Sequence, residues 1–454
     1  MKVKRGKWVP ESMPYDVESR KNFKPAVKPY DVGLLLDRVD TYSKGPKAIA
    51  IPEVEEKHDI YDIMCARLAF PNSVRLRRLL EWEFTTFEME VCHLLKETSM
   101  DTQAEELAKM LDVSVAKVKD TLQGLFQKGA VFPRDYKTWR GFRFLPRGLY
   151  QLHDGGMTNP ALDIKYAPTI YNLWNDFVIH DEATLAGKVF NKFIAKGEAP
   201  DNLARRVLPA YEAILLSLDA DQMQPWEDAR AIIDTVEILS LAPCSCRKRV
   251  SGGGMTCKRT KAQVCLNFDK AATGVIYKHG REITKEEAMQ VIRQANRDGL
   301  VHSMEHFQTV RPYLLCACCD CCCHHWAPRL SLGWKPEYRF KKSRWEVEIS
   351  QGACDACVDV KGGPKCISTC QFNAIDLREM DNYVAAPMPE PWLIQNIKAF
   401  VDTELCWGCL SCVLVCPSHA ITALCVRDES WVPEQRTAPT PRRVEYKIHI
   451  ERHD

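Results

Sequence analysis

Eighteen of the 21 cysteines fall into sets whose spacing suits metal ligation. One set reads Cys354-x2-Cys357-x8-Cys366-x3-Cys370, then Cys406-x2-Cys409-x2-Cys412-x3-Cys416-Pro417. Its first run carries six extra residues between the second and third cysteines. Cys354 and Cys357 therefore precede Cys406 and Cys409 by 52 residues, whereas Cys366 and Cys370 precede Cys412 and Cys416 by 46. The segments that follow agree as well: Gln371-Phe-Asn-Ala374-Ile375 matches Pro417-Ser-His-Ala420-Ile421. The two runs are one motif repeated. Free cysteine packs as a small hydrophobe, but packing alone does not repeat such a pattern. Soft thiolates alone do not separate zinc from iron–sulfur groups.

The second run has the spacing of a bacterial ferredoxin motif. Over roughly 350 to 425 the chain resembles two-cluster ferredoxin domains. That resemblance implies two [4Fe-4S] clusters with crossed ligation: Cys354, Cys357, Cys366 and Cys416 for one, Cys406, Cys409, Cys412 and Cys370 for the other. Gln371 stands where the family usually has proline, which removes the expectation of a rigid turn there.

Ten more thiols lie upstream: Cys244-Ser-Cys246-Arg247, Cys257 and Cys265, then Cys316-x-Cys318-Cys319-x-Cys321-Cys322-Cys323. Ligands must converge on one point, and adjacent residues of an extended segment point to opposite sides. The six cysteines of the dense run therefore do not all face one cluster; they make two groups facing different ways, or a few ligands plus spectators. The Cys-x-Cys-Arg strand end, the Gly280 to Ala288 helix start, the Gly299 to His302 segment and the dense run together resemble multi-cluster iron–sulfur proteins of anaerobic microbes, over about 225 to 425. The resemblance implies electron transfer with additional iron–sulfur binding. Ala317 replaces the asparagine common in those proteins after the first cysteine of the run. Zinc is the metal alternative for Cys244, Cys246, Cys257 and Cys265, since four thiolates also make a structural tetrahedral site; unligated thiols are the third alternative. Arg247, Lys248 and Arg249 are candidates to donate hydrogen bonds or positive field to a cluster, or are a solvated basic stretch. Cys65, Cys92 and Cys425 read as packing residues. His153 and His180, each beside an aspartate, and His324 and His325 read as structural histidines rather than ligands.

The elements that must position these thiols suggest an α+β multidomain chain. Residues 1–72 contain Pro10, Pro14, Pro25, Pro29, Pro46 and Pro52 and read as an extended basic arm, either a strap or a tail. From Ser73 the pattern is helical, with Leu76, Leu79, Leu80 and Phe84 on one face. Asp101 or Thr102 is placed to cap one short helix and Ser114 a second, closed by Gly129. Two strands follow, around Ala130–Phe132 and Phe142–Phe144, so that 73–150 resembles a winged helix-turn-helix domain. Between Val113 and Arg147 eight basic residues face two acidic ones, a local charge of +6 that suits phosphate contacts; a protein docking surface is the other reading. Residues 151–345 form a helical and mixed cysteine-rich middle domain: amphipathic helix is expected at 168–196 and 203–218, a helix start at Pro225–Ile233, a buried strand at Ile238–Leu241 and a helix at Thr284–Ala295. Residues 346–454 are the ferredoxin domain, interrupted by a proline-rich excursion at 376–405 and ending in a tail with a strand at Val444–Ile450.

A chain of 454 residues with 46% hydrophobic content holds about three domains on a prior of ~150 residues each. The net charge of +2 excludes a strongly basic whole-chain nucleic-acid binder. No stretch approaches the ~20 apolar residues that span a bilayer, and the polar N-terminus lacks a secretion signal, so the expected compartment is the cytoplasm. Gly252-Gly253-Gly254 is a bare triplet and no Gly-x-Gly-x-x-Gly fingerprint is present, so flavin or nicotinamide is not expected on this chain. The expected function is electron transfer through [4Fe-4S] clusters, as a non-catalytic subunit beside a redox protein or a catalytic oxidoreductase subunit. Two alternatives stand beside it: a redox-responsive transcription regulator that binds DNA, and a substrate-reducing cluster with an open iron site in the cysteine-dense middle.

Overall fold

The computed structural model describes residues 59–68, 70, 73–95, 102–144, 148–158, 169–178, 181, 205–254, 256–260, 262–278, 280–324, 340–357, 363–379 and 397–435. The arm up to residue 58, His180, His325, the centre of the 376–405 excursion and the expected strand at Val444–Ile450 lie outside them.

The N-terminal body begins earlier than expected. Asp59 caps helix α1 (Ile60–Arg67), accepting the amides of Tyr61 and Asp62 at 3.1 Å. Between Pro52 and Pro71 the chain has no proline, and Ile63, Met64 and Cys65 turn inward there, so this part of the supposed arm is core. Ser73 caps α2 (Val74–Glu83) through the Leu76 amide, 3.0 Å, and a Thr85/Glu88 capping box opens α3 (Thr86–Leu94). The pair α4 (Ala104–Leu111) and α5 (Val115–Gln127) follows, with Ser114 capping the second and Gly129 (φ +79°) turning the chain out of it. Thr102 does not cap α4. It bridges Phe142 instead, the two exchanging backbone hydrogen bonds of 3.3 and 3.0 Å, and Gln103 holds the cap position without a side-chain bond. Strands β1 (Val131–Asp135) and β2 (Arg140–Phe144) form an antiparallel hairpin, with Val131 opposite Phe144. Helices α6 (Gly148–Thr158) and α7 (Thr169–Phe177) complete the body, whose core contains Leu80, Met89, Leu122 and Trp174 together with Cys65 and Cys92.

The middle body is a seven-stranded sheet. In chain order its elements are β3 (Arg205–Leu208), α8 (Ala229–Thr235), β4 (Leu239–Ala242), α9 (Ser245–Gly252), β5 (Cys265–Phe268), α10 (Asp269–Lys278), β6 (Arg281–Glu282), α11 (Lys285–Arg297), β7 (Val301–Glu305), β8 (Leu314–Cys318) and β9 (Phe340–Lys341). The spatial order is β6-β4-β5-β8-β7-β3-β9, antiparallel throughout except for β3 with β9. The 203–218 stretch corrects its helical expectation: Val207 and Leu208 lie in β3, paired with Ser303 and His302, and only Tyr211–Ile214 is helical. Pro209 supplies a reason, because its ring drives the preceding residue out of the α region. All four residues of β4 are buried, and Thr284 caps α11 through the Glu287 amide.

The C-terminal body is built from two antiparallel pairs. Strand β10 (Trp345–Ile349) pairs with the last strand, β13 (Ile421–Cys425), and β11 (Ile375–Glu379) pairs with β12 (Ile397–Val401). Two short helices, α12 (Lys365–Thr369) and α13 (Ser411–Val415), occupy equivalent places in the two halves and pack together. This body is joined to the sheet by a buried ion pair, Arg344 Nη1 to Glu227 Oε2 at 2.8 Å, and by the Ala210 amide on the Cys409 carbonyl at 3.1 Å.

The N-terminal body meets the middle body along α10 and α9. Tyr136 stacks on Tyr277 at 5.4 Å, and Lys278 lies over the rings of Phe126 and Phe132 at 4.9 and 4.5 Å. The glycine triplet serves the same seam: a Cβ on Gly252 would meet the Tyr171 ring at 2.2 Å, and one on Gly253 the Asn175 side chain at 2.5 Å. Close packing of α9 on α7 thus accounts for Gly252 and Gly253, and Gly254 takes a positive φ of +96° instead.

Candidate metal centres

The repeated motif places its thiols in two groups. Cys357 and Cys366 have Cys354 and Cys416 as their thiol neighbours, whereas Cys406 and Cys409 neighbour Cys370, and Cys412 neighbours all three. A cavity is lined by Cys370, Cys406, Cys409 and Cys412 along with Phe372 and Trp407, whose rings stack at 5.6 Å. The last cysteine of each run thus sits with the first three of the other. Local backbone explains how: Ala356 and Cys357 in one half and Gly408 and Leu410 in the other take positive φ, turning the chain around each group. Amides then point at sulfur, from Ala374 to Cys370 Sγ and from Ala399 to Cys354 Sγ, both at 3.4 Å.

Burial, reinforced by the neighbouring thiols, pushes Cys366 and Cys409 up to about 12 and Cys406 up to about 11. Thiolates gathered here need positive charge close by, which is what a metal group supplies. The donor set, its amides and its enclosure therefore fit iron–sulfur clusters.

The dense run divides in two. Cys316, Cys318 and Cys323 fall on one side with Cys244 and Cys246: Cys246 contacts Cys244 and Cys323, and Cys318 contacts Cys316 and Cys323. Cys319, Cys321 and Cys322 fall on the other side and close around Cys257, with sulfur–sulfur distances of 3.9 Å (Cys257–Cys319), 3.7 Å (Cys257–Cys321) and 3.5 Å (Cys321–Cys322). Cys257 thus does not group with Cys244, Cys246 and Cys265. Cys265 starts β5 opposite Ala242, and Asn267 Nδ2 lies 3.8 Å from its sulfur.

Two of the cations suggested by sequence lie beside thiols, Arg247 by Cys244, Cys257 and Cys319 and Arg249 by Cys246. Arg247 and Arg249 donate to backbone, to the Ala262 carbonyl at 2.8 Å and the Cys322 carbonyl at 3.2 Å. The cation that faces Cys316, Cys318 and Cys323 is Arg205, anchored on the Ser303 carbonyl at 2.6 Å. Ser303 Oγ lies 3.5 Å from Cys318 Sγ, and the His324 amide donates to Cys246 Sγ at 3.2 Å. His153 is packed between Trp174 and His324, with Nδ1 on Asp154 at 3.0 Å, and burial lowers it to about 4. Arg205 and Ser303 carry no local signal; only the pairing of β3, β7 and β8 brings them to the thiols.

Gln371 explains its own departure from proline. Its buried amide nitrogen donates to the Gly299 carbonyl at 2.5 Å and to the Cys318 carbonyl at 3.0 Å, tying the residue after Cys370 to the dense run. Gln371→Ala is expected to cost about 1–3 kcal/mol, because two buried acceptors lose their donor. Gln371→Pro should cost as much despite restoring the usual residue. The check is the thermal midpoint of anaerobic protein at unchanged iron content; a midpoint raised by proline would contradict it.

No curated protein and no solved structure is significantly similar to the chain. Residues 399–422, which hold Cys406, Cys409, Cys412 and Cys416, match the 4Fe-4S binding domain family (Fer4). That match makes this chain an iron–sulfur protein with a ferredoxin-type domain at its C-terminal end.

Proposed function

We propose that the chain is a single-electron relay, the non-catalytic electron-transfer subunit of an anaerobic oxidoreductase complex. Two [4Fe-4S] clusters are assigned to the C-terminal body: one to Cys354, Cys357, Cys366 and Cys416, the other to Cys370, Cys406, Cys409 and Cys412. A further iron–sulfur cluster is assigned to the group of Cys244, Cys246, Cys316, Cys318 and Cys323. When bound, such groups take up and return single electrons, all-thiolate ferredoxin types at about −400 mV. The protein's own part is to bury the thiols, which disfavours the more negatively charged reduced form, and to aim amides at sulfur and hold Arg205 beside the middle group, both of which favour it.

The observation that carries this reading is the Gln371 bridge, which ties the residue after Cys370 to the Cys318 carbonyl across two bodies. Two isolated sites would not need it. The order α3, the Thr102 bridge, α4, α5 and the β1–β2 hairpin supports a winged-helix reading of 73–150, which serves here as a mount. Part of its basic surface is already occupied: Lys119 pairs with Glu105 at 3.2 Å, Lys128 with Glu88 at 2.8 Å, and Lys117 lies over the Phe87 ring. The hairpin side rests on α10. These contacts favour protein docking over the DNA-binding regulator. A redox protein or catalytic subunit is the proposed partner, in the cytoplasm; among the described residues no helix is long and apolar enough to cross a membrane.

Iron and acid-labile sulfide counts with electron paramagnetic resonance on anaerobically purified protein test the assignment. About twelve irons with matching sulfide are expected, four for each of three clusters. Fewer than about eight in intact protein would refute the two-cluster domain itself, and salt-sensitive, sequence-specific DNA binding would favour the regulator.

A further inference from the structure

The knot of Cys257, Cys319, Cys321 and Cys322 has the wrong size for a cluster. A [4Fe-4S] group sets four irons and four sulfides between its thiolates, so those thiolates stand well apart. The two C-terminal thiol groups behave accordingly. Among the described residues, the knot is the group of three or more metal-ligating side chains whose donor atoms all lie within 4.8 Å of one another; neither C-terminal group does so.

Four thiolates around one ion at ~2.3 Å sit about 3.8 Å from each other, the edge of a tetrahedron of that radius. The measured 3.9, 3.7 and 3.5 Å match that edge. We propose that Cys257, Cys319, Cys321 and Cys322 hold a single zinc ion in a closed, all-thiolate tetrahedron, separate from the iron–sulfur clusters.

The surroundings suit such a site. All four cysteines are buried, leaving no open coordination position and hence no catalytic water. Four thiolates around a divalent ion leave two negative charges, and two guanidinium groups stand beside them: Arg247 faces Cys257 and Cys319, and Arg259 faces Cys319 and Cys321. Arg259 also pairs with Asp320 at 2.8 Å, within the loop that carries three of the ligands. It then donates to the Ser368 and Thr369 carbonyls at 3.2 Å, just ahead of Cys370. The ion would therefore lock the loop carrying Cys257 to the end of β8 and, through Arg259, steady the segment that delivers Cys370. Closed four-thiolate zinc sites stabilise folds in this way.

Full-length protein purified anaerobically is measured for zinc, iron and sulfide, and for X-ray absorption fine structure at the zinc edge. The expected result is about one zinc per chain with four sulfur neighbours at about 2.3 Å and no iron neighbour. Cys321→Ala/Cys322→Ala should lose that zinc while iron and sulfide stay at the wild-type count. Iron and sulfide falling together in the variant would overturn the proposal in favour of a cluster. One iron falling without sulfide would overturn it in favour of a lone iron. Should the variant fail to fold, the wild-type spectrum decides: zinc far below one per chain, or zinc ligated by nitrogen or oxygen, rejects the site. A low iron count beside a full zinc count would reject the relay and leave this site standing.

Discussion

Cys370→Ala and Cys406→Ala are expected to remove the same cluster, although 36 residues separate them, and to leave the other intact. Cys354→Ala and Cys416→Ala should form the complementary pair. The basis is geometric: Cys370 shares a cavity with Cys406, Cys409 and Cys412, whereas Cys416 neighbours Cys357 and Cys366. Each variant should lose about four irons and four sulfides. Two reduced clusters a short distance apart broaden one another's paramagnetic signal, so each variant should also show a simpler spectrum than the parent. Electron transfer through the chain should collapse in all four. If Cys370→Ala instead reproduced Cys354→Ala, with both emptying one site while Cys406→Ala emptied another, the crossed arrangement would be wrong and each run would hold its own cluster.

The two cysteine runs are legible in local spacing, whereas their crossing is what the resemblance to two-cluster ferredoxin domains implies. The eight thiols, the offset between the runs and the Ala-Ile pair after each run are all short-range facts, and helix caps such as Ser73, Ser114 and Thr284 are equally local. What sequence did not yield is long-range. Cys257 is 62 residues from Cys319, and nothing in the intervening pattern says that it leaves Cys244 and Cys246 for the far face of the dense run. Alternation along an extended segment did predict that the run faces two ways, but not which earlier thiol joins which side. Arg205 was hidden for a related reason, since Val207 and Leu208 fit a helical stripe as well as a strand, and Pro209 together with pairing to β7 decides between them. Gln371 looked like a lost proline until its partner carbonyls, 72 and 53 residues away, came into view.

Three glycines of the C-terminal body separate the cost of backbone conformation from the cost of space, and Gly408→Ala is expected to be by far the worst. Gly408 lies between Cys406 and Cys409 at φ +67°, and a Cβ there would stand 1.9 Å from the Trp345 carbonyl oxygen and 2.1 Å from Ser343 Oγ. Neither atom is free to retreat. Ser343 Oγ donates to the Gly408 carbonyl at 2.7 Å and accepts the Trp345 amide at 3.1 Å, and Trp345 begins the strand paired with β13. Gly363 has a similar φ of +71° but nothing within 4 Å of its Cβ position, and Gly352 has open space and no positive φ. Gly352→Ala should change stability by less than about 0.5 kcal/mol. Gly363→Ala should cost about 1–2 kcal/mol, the left-handed penalty alone. Gly408→Ala adds a backbone clash, so its loss should exceed about 3 kcal/mol and should displace Cys406 and Cys409 from Cys412. The readout is iron retained per chain together with the thermal midpoint under anaerobic conditions. Gly408→Ala should lose about four irons where Gly363→Ala keeps all of them. Equal effects at Gly363 and Gly408 would mean that φ alone matters, and that β10 yields where the structure says it is held.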